Sequence, residues 1–97
     1  MVSVSAESKG DGWISEVIVD QGGRQTRHSV TVARADLQRW AGGTEREDVE
    51  SLVARSFEFL LEREPPDAIL TTFDLSVIQR YFPDYDSAFR HRQTRKG

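Results

Sequence analysis

A chain of 97 residues, 37% hydrophobic and 30% charged, has the balance of one small globular domain and is too short for two cores. Its formal net charge of −3 gives no sign of wholesale nucleic-acid binding, and no apolar run reaches the ~20 residues of a membrane span. The absence of cysteine excludes disulfides, thiolate catalysis and cysteine zinc sites. With no basic-then-apolar leader at the N-terminus, a cytoplasmic protein is expected.

In chain order, Met1 to Ala6 alternates weakly, Val2 and Val4 against serines, and Glu7 to Gly12 is polar with two glycines. Residues 1–12 therefore read as a flexible lead-in, with a short edge strand as the alternative, because a terminus with little to bury frays. Trp13 to Asp20 and Gln25 to Val32 are strand-like runs joined through Gln21-Gly22-Gly23-Arg24. A Gly-Gly pair supplies positive φ at both centres of a type I′ turn. With that turn, Val19 faces Thr26, Val17 faces His28, Ser15 faces Val30 and Trp13 faces Val32. Trp13, Val17, Val19, Val30 and Val32 then share one face, and Ile14, Glu16, Ile18, Arg27, Ser29 and Thr31 share the other. A slip of one residue would mix the two sets.

Ala33 to Ala41 predicts a short helix with Leu37 and Trp40 inward, poorly capped at its start and stopped by Gly42-Gly43. Thr44-Glu45-Arg46-Glu47 has the form of a capping box, and a long helix is expected from there to about Glu64, where Pro65-Pro66 forbids continuation. Its apolar stripe is Val49, Leu52, Val53, Ser56, Phe57, Leu60 and Leu61, and Phe59 outside the stripe implies cover on two sides. Beyond the prolines, Leu70, Phe73, Val77, Ile78 and Tyr81 keep helical spacing, interrupted by Asp74 as a new N-cap. Two short helices, near 67–72 and 75–82, are expected. Asp84 to Ala88 reads as a polar turn around Tyr85, and residues 86–97 as a basic, mobile tail.

The expected fold class is α+β, with one domain over residues 13–85. A β-hairpin, or a three-stranded antiparallel sheet if the N-terminus joins it, packs against one long central helix and two to three short ones.

Ser56 to Tyr85, with its F-D-L-S-V-I-x-R-Y-F-P run, and the W-x-x-x-V-x-V of the first strand carry a family likeness. The combination resembles a group of small conserved bacterial and archaeal proteins of unknown function. The resemblance implies no activity, cofactor or partner. It does direct attention to Asp74, Arg80 and Tyr81, polar groups within an apolar motif. Their structural readings are an N-cap, a surface pair and a core ring with a satisfied hydroxyl.

Chemistry is harder to find. No G-x-S-x-G, P-loop, H-E-x-x-H or G-x-G-x-x-G occurs, so neither an enzyme nor a bound cofactor or metal is expected. His28 has no second His or Cys nearby in sequence and reads as a packed, hydrogen-bonded histidine. A pocket joining His28, Asp74 and Tyr81 from distant parts of the chain is the one catalytic arrangement left open. Glu45, Glu47, Asp48 and Glu50 suit a helix N-terminus, and Glu58 and Glu62 with Arg55 and Arg63 suit a solvated face.

Functional content rests on the second face of the hairpin, where Ile14, Glu16, Ile18 and Arg27 stand beside free strand edges. This surface predicts a non-enzymatic interaction or regulatory module, either a homodimer paired through the hairpin or a complex with another protein. The alternative is association with nucleic acid through Arg24, Arg34, Arg39, Arg90, Arg92, Arg95 and Lys96. It is the weaker reading because no aromatic side chain interleaves with those cations.

Overall fold

Gly22 and Gly23 take φ of 62° and 79° and close a two-residue turn between β2 (Gly12–Gln21) and β3 (Arg24–Val32). In the computed structural model, which describes residues 1–90, every expected cross-strand pair of this hairpin is present, from Gln21↔Arg24 to Trp13↔Val32. Turn chemistry and the period-2 pattern agree on one register, so no alternative competes.

The N-terminus is the first correction. Residues expected to fray form β1 (Val2–Lys9), antiparallel to β2 across a tight turn at Gly10-Asp11. Gly10 alone carries positive φ there, at 60°, as a type II′ turn requires. The strand holds because Val2, Val4 and Ala6 stand opposite Val19, Val17 and Ser15 and extend the core face. Gly12 is needed for another reason: a Cβ there would lie 2.5 Å from the carbonyl oxygen of Val32.

After β3, α1 (Arg34–Trp40) and α2 (Arg46–Leu61) cross one face of the sheet, and the chain re-enters it as β4 (Thr72–Asp74), parallel to β3. The result is α+β with a four-stranded mixed sheet in the order β1-β2-β3-β4, rather than two or three antiparallel strands. The helix expected near 67–72 does not form. A single 3-10 turn, Pro66–Ala68, follows the prolines. Thr71-Thr72 is β-branched, and alternation then buries Phe73 between the outward Thr72 and Asp74. Leu70 and Phe73 are three apart in either reading, so helical spacing alone could not separate them.

α2 buries every stripe residue except Leu61, together with Phe59. Its start lies one residue beyond the expected box: Glu45 is the N-cap, and its N–H donates to the Asp48 carboxylate at 3.0 Å. Phe57 is fully buried, its ring centroid 5.1 Å from that of His28 and 6.1 Å from that of Phe73.

Another correction lies past α3 (Val77–Tyr81). Asp84 to Ala88, expected as a polar turn, belongs to α4 (Asp84–Phe89), so the boundary drawn at residue 86 falls inside a helix. Tyr85 is fully buried. Its ring meets Trp40 edge-on at 5.0 Å and stacks on Phe89 at 4.4 Å. The Ser56 hydroxyl donates to the Leu52 carbonyl at 2.7 Å, so the Tyr85 hydroxyl is the donor in its 2.7 Å bond to Ser56 Oγ. Trp40 Nε1–H donates to Asp86 at 2.9 Å and pins α4 to α1. Tyr81, expected as the core ring, is 68% exposed.

Candidate functional site

The helices cover the face of the sheet that carries Val17, Val30 and Phe73, and none of the described helices covers the other face. On it, Ile14 and Ile18 lie half-buried along β2, with Glu16 and Arg27 exposed. Ser3, Ser5 and Glu7 of β1 pair opposite Ile18, Glu16 and Ile14, and Arg27 and Thr31 of β3 flank the isoleucines on the far side. The Glu16 carboxylate accepts from the Ser29 hydroxyl at 2.6 Å, so its partner is Ser29 rather than Arg27.

One expectation fails outright. The edges of the hairpin are taken within the chain by β1 and β4, so edge pairing of two hairpins cannot build the four-stranded sheet. Alternation from the Met1–Asp20 pair turns the backbone of Val2, Val4, Ala6 and Ser8 outward along β1. At Ala6 that outward N–H is already bonded to the Glu50 carboxylate of α2, at 2.9 Å.

His28, Asp74 and Tyr81 do not form a pocket. His28 points into the core, where the Leu70 carbonyl accepts from Nδ1 at 2.7 Å and Thr26 Oγ1 lies 2.9 Å from Nε2. Asp74 is bonded on the opposite face by the Thr31 hydroxyl at 3.0 Å and accepts from the Ser76 N–H at 3.1 Å; the N-cap of α3 is Ser76 itself, so Asp74 is not the cap the spacing predicts. Tyr81 and Arg80 are exposed on α3. Among the described residues, no three His, Asp or Glu side chains are grouped to hold a metal ion, and no helix is long and apolar enough to cross a membrane.

The arginines are scattered and mostly engaged. Arg24 pairs with Asp67 at 3.0 Å, Arg90 with Asp86 at 2.7 Å, and Arg39 lies 5.2 Å over the Trp40 ring. Arg34 borders a polar pocket with Asp11 and Trp13. Arg24 and Arg34 stand at opposite ends of β3, roughly 30 Å apart at ~3.3 Å per residue. Arg92, Arg95 and Lys96 lie outside the described residues.

Two features carried no usable sequence signal. The first is an apolar cleft of about 260 Å³ beside β4, between the C-terminal end of α2 and α3, with Leu60, Glu64, Ile69, Phe73, Val77 and Tyr81 in its lining. Helical spacing had turned Leu70 and Tyr81 inward, whereas both stand at its rim, 50% and 68% exposed.

The second is Asp36 in the first turn of α1, buried with Oδ2 unpartnered. Burial, and then the nearby Asp74 carboxylate, hold its pKa above the usual carboxylate value. A raised folded-state pKa means that its stabilising share is fully present below the unfolded value and is lost as pH rises through the folded one. Asp36→Asn should therefore gain stability relative to wild type as pH rises above the unfolded carboxylate value of about 3.9, read as the shift in urea midpoint. A difference that stays constant with pH would show that the carboxyl is not strained by burial.

Comparison with protein-family models, with curated proteins and with solved structures finds no match to this chain.

Proposed function

We propose that this chain is a small non-enzymatic protein-interaction module of the cytosol, and that the outer face of its β-hairpin is the working surface. The observation that supports this reading is the one-sided architecture: among the described residues the helices gather on one face of the sheet, and two isoleucines stand half-open on the other. A second copy of the chain is the occupant that this face suits. Glu16 and Arg27 bring opposite charges to the same patch, so two such faces related by a two-fold axis are self-complementary around Ile14 and Ile18.

Size sets the strength. Three strands ~4.8 Å apart and about eight residues long offer roughly 400 Å² of flat surface. That is about half of the ~800 Å² each partner contributes to a standard interface, so the association should be weak. Ile18→Lys should abolish concentration-dependent sedimentation while leaving the circular dichroism spectrum and urea midpoint close to wild type. A wild type that stays monomeric at millimolar concentration would sink the homodimer. An unfolded Ile18→Lys would place Ile18 among the core residues.

Nucleic-acid association through the arginines draws less support, because Arg24, Arg39 and Arg90 already hold acidic or aromatic partners at separated places.

A further inference from the structure

Among the described residues, β4 is the outermost strand of the sheet on the side away from β1. The Ser29 N–H donates to the Thr71 carbonyl and the Leu75 N–H to the Thr31 carbonyl, which places Thr71, Phe73 and Leu75 on the β3 side of the ladder. Alternation then turns the N–H and C=O of Thr72 and Asp74 to the open side. The apolar cleft begins at the same strand, because the side chain of Phe73 is part of its wall. A short edge is one way in which sheets discourage pairing with other chains. A merely blunted edge, however, does not require an apolar cleft beside it, or Leu70 and Tyr81 exposed at the rim.

From this juxtaposition we infer that β4 and the cleft together form a site for an extended peptide of another protein, added as a strand beside Thr72–Asp74 with alternate side chains seated in the cleft. Period-2 geometry makes the two halves of the site cooperate. A strand paired to β4 projects every second side chain to the face that Phe73 occupies, and the others to the bare face. About 260 Å³ is roughly nine waters at ~30 Å³ each, enough for one large apolar side chain or two small ones two positions apart. Glu64 lies in the cleft wall with no ion-pair partner among the described residues, so a lysine or arginine next to the apolar pair completes the ligand chemistry. This site is separate from the hairpin face, whose residues lie on β2 and β3.

The test uses the full chain and a capped hexapeptide, Thr-Val-Thr-Val-Thr-Lys, followed by amide chemical shifts. Shifts concentrated on Thr72, Asp74 and the cleft residues are expected. No shifts up to about 1 mM peptide, the weak end of specific recognition, would overturn the site. Thr72→Pro removes one outward N–H without touching a bond to β3 and should weaken binding at least tenfold; an edge position tolerates proline. Leu70→Glu should do the same from the cleft side, and it keeps the test alive if the proline variant fails to fold. A peptide N-methylated at its β4-facing amides should not bind. If it binds as well as the parent, the cleft is only sticky and strand addition is wrong.

Discussion

Phe57→Ala should lower the unfolding free energy by about 3–5 kcal/mol, the usual result of truncating a large buried aromatic. Phe57 is the place to expect the upper half of that range. It is fully buried on α2 and packs at once against His28 of β3 and Phe73 of β4, so its loss opens a cavity between the helix layer and two strands. His28 sits on the cavity wall, held by the Leu70 carbonyl and Thr26, and cannot collapse into the space without breaking those bonds. A domain of this size has on the order of 5–15 kcal/mol in total, so the variant should be close to unfolded at 37 °C. A urea midpoint near wild type would show that α2 is not the element on which the sheet packs.

Tyr85→Ala should be as damaging, which separates the structure most sharply from the expectation of a polar turn. The side chain is fully buried under Trp40, Phe59 and Phe89, so truncation should again remove about 3–5 kcal/mol. Tyr85→Phe calibrates the result. It keeps the ring contacts and removes only the hydroxyl that donates to Ser56, for a loss of about 1 kcal/mol. Ser56 keeps its own bond to Leu52, so no buried donor is orphaned. If Tyr85→Ala melts like wild type in urea, α4 is an ornament and the packed domain ends before it.

The candidate surfaces divide in the same way. Ile14, Glu16, Ile18 and Arg27 could be placed on one face from the sequence because a two-residue turn fixes a register and alternation does the rest. The cleft beside β4 could not. Its lining comes from α2, the loop after it, β4 and α3, and nothing local in any of these segments marks it.

The sequence by itself determined the hairpin to the residue, the buried stripe of α2 apart from Leu61, and the existence of the short helix α1, since each rests on local periodicity or turn chemistry. The end of α1 is set by Ala41 in extended conformation and not by a glycine cap at Gly42-Gly43. Only the tertiary structure decided the rest. β1 exists because the core face of β2 accepts Val2, Val4 and Ala6, a gain that a weakly patterned terminus does not advertise. Thr72–Asp74 became strand because β3 had an open edge for its backbone to pair with, and long-range hydrogen bonds outweigh ambiguous spacing. Tyr85 rather than Tyr81 became the core ring for a similar reason. Trp40 and Ser56, 45 and 29 residues upstream in the chain, meet where only α4 can supply an aromatic ring with a hydroxyl to donate.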